Sequence, residues 1–229
     1  MSHLQNIVRL KVVYNALEEM AGEFVFVGGA TVSLYADRVA GEMRPTYDVD
    51  ILTEILNYAD YARIEEKLRS KGFSNDAESG IICRYKAKGV IIDVMPTDDK
   101  ILGFSNKWYP DGYSTAISYA LDDKHIIKIF QPEYFLASKL EAFKNRGNND
   151  GRTSTDFEDI VYILNNRSSI WKEFNNASAK VKSYLQTEFS VLLENKYIDE
   201  WISANLEFSE QKRARYIIGN LLELVGNVS

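Results

Sequence analysis

The chain has 229 residues, of which 45% are hydrophobic and 26% are charged, and its formal net charge is −6. This composition is typical of a globular protein with one large domain or two modest ones, and the negative charge argues against nucleic-acid binding through bulk positive charge. The single cysteine, Cys83, excludes a disulfide framework and a zinc site made of cysteine pairs, and the two histidines argue against a histidine-based zinc site or a serine triad.

Three elements are predicted before residue 54. Apolar residues at helical spacing predict a helix over residues 3–21. These residues are Leu4, Ile7, Val8, Val12, Leu17 and Met20. The stretch EFVFVGG predicts a short buried strand that ends at two glycines, and GATVSLYADRV predicts a helix opened by that turn. TYDVDILT predicts a second strand, with Tyr47, Val49 and Ile51 on one face; because strand side chains alternate, Asp48 and Asp50 share the other.

The middle of the chain has patterns that predict further strands of the sheet and one helix. YADYARIEEKLRSKG predicts a helix closed by Gly72, and SGIICRYKAKGVIIDVMP predicts two strands joined near AKG as a hairpin. The second of these strands, Val90 to Met95, carries one polar residue, Asp93, in an apolar run. WYPDGYS predicts a loop, and KHIIKIFQP predicts a strand that ends before Pro132.

The remainder of the chain predicts helices. PEYFLASKLEAFKNRG predicts a helix with proline in its first turn, and TDFEDIVYILNNR predicts another with Thr155 as N-cap. Everything from Ser168 onward has a helical pattern. The predicted fold class is therefore α+β: a mixed sheet flanked by helices over residues 1–130, followed by a helical C-terminal domain over residues 131–229.

The aspartates indicate a metal site. Two carboxylates as close as Asp48 and Asp50 raise each other's proton affinity unless a cation lies between them, and Mg²⁺ prefers oxygen ligands. Asp93, on an adjacent strand, would complete a two-metal site for phosphoryl transfer and accept the proton of the attacking hydroxyl. The structural alternatives are a solvated strand edge for the pair and a hairpin carboxylate facing water for Asp93.

The glycine turn indicates an anion site. In VGGAT the backbone can approach a phosphate closely, and N–H groups at a helix start face it. The sequence lacks both GxxxxGK[ST] and GxGxxG, which excludes a P-loop and a Rossmann fingerprint.

Together these motifs resemble the nucleotidyltransferase superfamily, with its polymerase-β-like fold. The matching residues are GGAT…RPTYDVDI followed by IIDVMP: a glycine turn at a helix start, a DxD on the next strand and a later carboxylate. More narrowly, R-x-T-x-D-x-D and FLASKLEAFKNRG…TDFEDI resemble AbiEii/AbiGii-type toxin nucleotidyltransferases, whose second signature is a lysine-bearing helix followed by an acidic helix start. The resemblance covers residues 24–165.

The resemblance implies roles for named residues. The catalytic residues would be Asp48, Asp50, Asp93, Lys139 and Asp156; the nucleotide would be bound by Gly28, Gly29, Thr31, Arg44 and Thr46; Mg²⁺ or Mn²⁺ would be held by Asp48, Asp50 and Asp93. Lys139 would contact nucleotide phosphate, and Asp159 would join Asp156 as a distal acidic pair. Two positions depart from the family: Ala30 replaces a serine, and Ser154 and Thr155 replace a basic residue.

The implied function is that of an EC 2.7.7-type enzyme, which moves a nucleoside monophosphate from a nucleoside triphosphate to a hydroxyl acceptor. The resemblance implies a toxin with a cognate antitoxin as partner and the 3′ end of tRNA as an acceptor. A catalytically weakened nucleotide-binding module on the same fold and an antibiotic nucleotidyltransferase are the alternatives. The chain has no apolar run that would span a membrane and no signal-type apolar core at its N-terminus, so we expect a cytoplasmic protein without membrane partners.

Overall fold

The computed structural model describes residues 2–38, 44–103 and 105–226. They form two compact units. The first contains residues 2–33, 44–103 and 105–131, and the second contains residues 34–38 and 132–226. The predicted domains, 1–130 and 131–229, remain a prediction; the observed units differ from them in placing residues 34–38 with the helical part.

The first unit holds every strand found in the described chain. The strands are β1 (Val25–Val27), β2 (Asp48–Thr53), β3 (Ser74–Asn75), β4 (Arg84–Ala87), β5 (Val90–Pro96), β6 (Ile117–Ala120) and β7 (Ile126–Ile129). Its helices are α1 (Ser2–Leu17), α2 (Tyr58–Ser70), α3 (Asp99–Leu102) and α4 (Tyr109–Ser114), with 3-10 turns at Glu18–Glu23 and Ala77–Ser79 and a third that begins in this unit, Gly29–Tyr35.

The seven strands form one mixed sheet in the order β3-β4-β5-β2-β1-β7-β6. β2 pairs in parallel with β5, and β1 pairs in parallel with β7, whereas the other neighbours are antiparallel. The central strands are buried because their side chains are apolar on the covered face, as Val49 and Ile51 of β2 illustrate. The predicted fold class, a mixed sheet flanked by helices, is confirmed.

The buried stripe of helix α1 was predicted only in part. The predicted Leu17 is fully buried, as are Leu10 and Val13, which were not predicted, whereas the predicted Leu4 and Val8 are exposed. The helix ends at Leu17, and the chain continues to Glu23 as a 3-10 turn. Helical spacing alone fits more than one apolar stripe, and docking on the sheet selects one of them.

Tyr47 was predicted to share a face of the second strand with Val49 and Ile51. It precedes β2 instead and is exposed.

Two further predictions in this unit were wrong. WYPDGYS is not a loop, because Tyr109–Ser114 is helix α4, with proline in its first turn. GATVSLYADRV is a 3-10 turn over Gly29–Tyr35 rather than an α-helix, and its last residue, Val39, lies outside the described residues. Strand β6 was not predicted, and the hairpin of β4 and β5 was predicted correctly.

The second unit is helical. Its helices are α5 (Pro132–Arg146), α6 (Thr155–Asn166), α7 (Ile170–Asn176), α8 (Ala179–Leu193), α9 (Ile198–Ala204) and α10 (Arg213–Gly226), with a 3-10 turn at Phe208–Glu210. The N-cap of α6 is Ser154, whose side chain accepts a hydrogen bond from the Phe157 N–H, so Thr155 is the first helical residue rather than the cap. The helical pattern after Ser168 is confirmed as far as Gly226, and the last three residues lie outside the described chain. In the part of the chain that is described, none of the helices has the length and apolarity needed to cross a bilayer.

Candidate functional site

Three aspartates share one face of the sheet. β2 and β5 run parallel in a register that places Asp50 opposite Asp93, and Asp48 lies two residues before Asp50 on the same strand. Because side chains alternate along a strand and match across a register, all three carboxylates project to the same side. The parallel pairing therefore brings together the carboxylates of two motifs that are 43 residues apart, counted from Asp50 to Asp93.

An arginine that sequence reasoning missed lies between two of these carboxylates. Arg84, on β4, is directly opposite Asp93 in the antiparallel pair of β4 and β5. Its Nε donates to Asp93 Oδ1 at 2.8 Å, and its Nη2 donates to Asp93 Oδ2 at 2.7 Å and to Asp48 Oδ2 at 3.1 Å. Both oxygens of Asp93 thus accept hydrogen bonds from one guanidinium, which also bridges to Asp48.

The carboxylates hold Arg84 in its charged form. Its hydrogen bonds with Asp93 raise the pKa of the guanidinium above its ordinary value, while partial burial acts in the opposite direction, and the charges of Asp93, Asp48 and Asp50 add to the rise. Three carboxylates and one guanidinium leave two negative charges in excess. The donor set therefore suits a divalent cation that prefers oxygen, such as Mg²⁺. As they are arranged, however, no three His, Cys, Asp or Glu side chains of the described residues enclose a metal position.

The glycine turn packs directly on the DxD strand. Gly28 has a φ of +73°, and a β-carbon built on it would lie 1.8 Å from Asp50 Oδ2. A β-carbon on Gly29 would lie 2.7 Å from Cγ2 of Thr46 and 3.1 Å from Nη2 of Arg44. A larger residue at either position of the turn would collide with these side chains. Asp50, Thr46 and Arg44 therefore lie where they do because both positions are glycine.

Two of the predicted nucleotide-binding threonines stabilise this turn and its neighbouring segment. Thr31 is fully buried, and its hydroxyl donates to the Gly28 carbonyl at 3.0 Å. Thr46 is buried as well, and its hydroxyl donates at 3.0 Å to Oδ1 of Asn6, a residue of α1 that the sequence did not single out. The Nδ2 of Asn6 is buried without a hydrogen-bond partner in the described chain. The predicted contacts of both threonines with nucleotide remain predictions.

The predicted residues of the second signature meet in the helical unit. Lys139 of α5 places its Nζ 3.1 Å from Asp156 Oδ1 and 2.7 Å from Asp159 Oδ2, and all three side chains are buried. Arg146, which is largely exposed, donates from Nε to Asp156 Oδ2 at 2.7 Å and from Nη2 to Oδ1 at 2.9 Å. Arg146 was not among the predicted site residues.

The cations determine the ionisation of Asp156. Burial raises the pKa of this carboxyl, but the hydrogen bonds of Arg146 and the charge of Lys139 outweigh burial, so the pKa lies below its ordinary value. Two carboxylates and two cations balance in charge, which is how buried ionised groups are tolerated. In this arrangement the Lys139 ammonium is held by protein carboxylates.

The fold resembles that of known structures at low identity. An antigenic nucleotidyltransferase-like protein from Paracoccidioides brasiliensis aligns with a TM-score of 0.52 and 17% identity over 91% of this chain and 97% of that chain. JHP933 from Helicobacter pylori aligns with a TM-score of 0.48 and 10% identity over 98% of this chain and 93% of that chain. No protein-family model and no curated protein matches the sequence. The chain therefore has a nucleotidyltransferase-like fold, and its predicted closeness to AbiEii-type toxins remains a prediction.

Proposed function

We propose that this chain is a Mg²⁺-dependent nucleotidyltransferase of the EC 2.7.7 type, which moves a nucleoside monophosphate from a nucleoside triphosphate to a hydroxyl acceptor. The observation that carries the proposal is the register of β2 against β5, with Asp50 opposite Asp93 and Asp48 on the same face. The contact of Asp50 with the Gly28 turn joins a potential phosphate cradle to the carboxylates. The fold similarity supports the general class.

Each element of the site has a role in this reaction. Asp48, Asp50 and Asp93 would hold Mg²⁺ or Mn²⁺, which when bound supplies stabilisation of the negative charge on the transferring phosphoryl group. The Gly28–Gly29 turn would bind the triphosphate, with Thr31, Arg44 and Thr46 shaping its surroundings. The acceptor oxygen bonds to the α-phosphorus, and the bond to the β-phosphate oxygen breaks, so pyrophosphate leaves with that electron pair.

Asp93 would take the proton of the attacking hydroxyl, as expected from its position. In the present arrangement both of its oxygens accept hydrogen bonds from Arg84. Each carboxylate oxygen has two lone pairs, so Asp93 can accept the proton while both hydrogen bonds to Arg84 persist. The proposed contact of Lys139 with nucleotide phosphate would compete with its ion pairs to Asp156 and Asp159.

The acceptor and the biological role extend the proposal further. The resemblance of R-x-T-x-D-x-D and of the segment around Lys139 and Asp156 to AbiEii-type proteins supports a toxin-like cytoplasmic enzyme with a cognate antitoxin. The 3′ end of tRNA is the acceptor we propose first. A protein hydroxyl and an aminoglycoside-like small molecule are the acceptors to be tested beside it.

Two observations favour a second candidate, a catalytically weakened nucleotide-binding module on the same fold. Arg84 holds two of the three carboxylates, and Ala30 replaces the serine hydroxyl expected in the turn. A module of this kind would bind nucleotide equally well with and without Mg²⁺ and would transfer nothing. The enzyme would bind nucleotide more tightly with Mg²⁺, because a cation held by Asp48, Asp50 and Asp93 would offset the negative charge of the phosphates.

The experiment incubates the protein with labelled nucleoside triphosphates, Mg²⁺ and an extract of total RNA and protein. The test variants are Asp48→Ala and Asp50→Ala, and Asp123→Ala, an exposed aspartate near β7, is the matched control. We expect label transfer with the wild type and the control and its loss with both test variants. Transfer that is equal in all four proteins would contradict the proposal, as would its absence from the wild type.

A further inference from the structure

We propose that Arg84 is the built-in counter-cation of the carboxylate site and that it determines how tightly the site binds a divalent cation. The inference rests on the proposed function in taking Asp48, Asp50 and Asp93 as metal ligands. It goes beyond that function in assigning a role to a residue outside the recognised motifs. Arg84 would act as a positioning residue, because it competes with the cation for the same oxygen atoms.

Arg84 is held by two carboxylates at once. Arg84 uses two nitrogens to make three hydrogen bonds, all between 2.7 and 3.1 Å, to Asp93 and Asp48. The side chains of Arg84 and Asp93 are only 19% and 12% exposed, so solvent screens their attraction weakly. A planar guanidinium with its fork on one carboxylate and one nitrogen on a second matches the preferred geometry of such pairs.

Arg84 and a divalent cation compete for the same carboxylate oxygens. A cation held by Asp48 and Asp93 needs carboxylate oxygens that now accept hydrogen bonds from Arg84: both oxygens of Asp93 and Oδ2 of Asp48. Two cations a few ångströms apart also repel each other strongly in a partly buried site. A divalent cation on these oxygens therefore weakens or displaces the hydrogen bonds of Arg84, and the energy lost in those bonds is subtracted from the affinity of the site for the cation.

A second cation of β4, Lys86, pairs outside the carboxylate site. Lys86 lies two residues after Arg84 on β4, on the same face, and its Nζ lies 2.8 Å from Asp76 Oδ1 rather than near the aspartates of β2 and β5. Removal of Lys86 takes away one positive charge from the same strand without touching the carboxylate site. Lys86→Gln is therefore the matched control for Arg84→Gln.

The experiment measures Mn²⁺ binding without nucleotide, by electron paramagnetic resonance or titration calorimetry, in the wild type, Arg84→Gln and Lys86→Gln. We expect Arg84→Gln to bind Mn²⁺ ~10-fold more tightly or better, because one close positive charge and its hydrogen bonds are gone. Lys86→Gln should stay within ~2-fold of the wild type, because that charge is half exposed and is already paired with Asp76. Equal or weaker Mn²⁺ binding by Arg84→Gln overturns the proposal.

A measurement on the wild type avoids dependence on the folding of the variant. The Nε–H of Arg84, which donates to Asp93, should give an NMR signal that shifts as Mg²⁺ is added, and a signal that does not move at saturating Mg²⁺ overturns the proposal. Failure of the inference is distinguishable from failure of the proposed function. If Arg84→Gln and the wild type bind Mn²⁺ equally while Asp48→Ala abolishes nucleotide transfer, the inference alone fails. If neither protein binds Mn²⁺ and Asp48→Ala leaves nucleotide transfer unchanged, both fail.

Discussion

The carboxylate of Asp50 lies directly against the α-carbon of Gly28, where a β-carbon would be only 1.8 Å from Oδ2. The register of β1 against β2 explains this contact, because Val27, the last residue of β1, is opposite Asp50. The strand that ends in the glycine turn and the strand that carries the DxD are therefore neighbours in space. A change in the turn must displace the carboxylate, so the two motifs form one structural unit.

Gly28→Ala should destabilise the protein by ~2–4 kcal/mol. About 1–2 kcal/mol of this comes from forcing alanine to the positive φ of +73°, and the rest comes from the clash with Asp50. Chemical denaturation followed by circular dichroism measures the free energy of unfolding. If the site is catalytic, the variant should also lose nucleotide transfer, since Asp50 cannot keep its position.

The control for this substitution is Gly72→Ala. Gly72 follows α2 with a φ of +85°, and a β-carbon there would have no heavy atom within 4 Å. The substitution Gly72→Ala therefore imposes the backbone strain without a steric clash, and we expect it to lower the free energy of unfolding by ~1–2 kcal/mol. Equal losses for Gly28→Ala and Gly72→Ala would mean that Asp50 moves aside at no cost, against the close packing described above.

Lys139→Met should cost ~3–5 kcal/mol of stability, because it leaves the buried carboxylates of Asp156 and Asp159 without their shared cation. Lys144→Met, on the same helix, is the control: its side chain is 45% exposed and pairs with Glu188 at the surface, so a loss of ~0–1 kcal/mol is expected. Urea unfolding measures both values.

The stabilities of the two lysine variants also decide how a loss of nucleotide transfer by Lys139→Met is interpreted. If Lys139→Met proves as stable as Lys144→Met, the buried ion cluster does not support the second unit, and a loss of transfer would then report on Lys139 itself. If Lys139→Met is unstable, as expected, its activity must be measured at a temperature and urea concentration at which circular dichroism shows it folded.

Local sequence patterns predicted most strands of the sheet but not every helix packed against it. The strand ending at Gly28 and the hairpin of β4 and β5 follow from β-branched runs bounded by turn residues. The helix in WYPDGYS does not, because it depends on tertiary packing: a β-carbon on Gly112 would be 2.7 Å from the Phe130 ring, so only glycine lets α4 approach β7 so closely. A single sequence carries no record of such an approach.

The candidate site divides in the same way. The shared face of Asp48 and Asp50 follows from strand alternation, but the pairing of Asp50 with Asp93 requires the strand order, which local patterns do not give. Arg84 could have been found. The two-residue loop Lys88–Gly89, with positive φ at both residues, fixes the hairpin register, and counting back from it places Arg84 opposite Asp93.

Asp37→Asn should be less stable than the wild type at neutral pH, and this difference should disappear in acid. Asp37 accepts hydrogen bonds from the N–H and hydroxyl groups of Ser168 and Ser169 at 2.7 to 3.0 Å. Burial raises its pKa, but these bonds outweigh burial and lower the pKa from 3.8 to about 2. Because the folded pKa is below the unfolded one, the stabilisation is present above pH 3.8 and is lost as the pH falls toward 2.

The measurement is the free energy of unfolding of the wild type and Asp37→Asn between pH 7 and pH 2. The gap between the two should be constant from pH 7 to about 5 and should narrow below 4. Asp123→Asn, which removes an exposed carboxylate, should run parallel to the wild type throughout. A gap between the wild type and Asp37→Asn that stays constant down to pH 2 would contradict the role of the four hydrogen bonds.

Cys83 should resist thiol reagents in the folded protein. It lies just before β4 and is 3% exposed, and burial together with the nearby charge of Asp93 raises the pKa of its thiol to about 11. At pH 8 only about one thiol in a thousand would then be ionised, and the thiolate is the reactive form.

We expect Ellman's reagent to label the native chain at least ~100-fold more slowly than the chain unfolded in guanidinium. Asp123→Cys adds one exposed thiol as an internal control, which should react in a fast phase of one equivalent while Cys83 stays slow. A fast phase in the wild type would show that the segment before Arg84 opens readily, and the packing that holds Arg84 against Asp93 would then be transient.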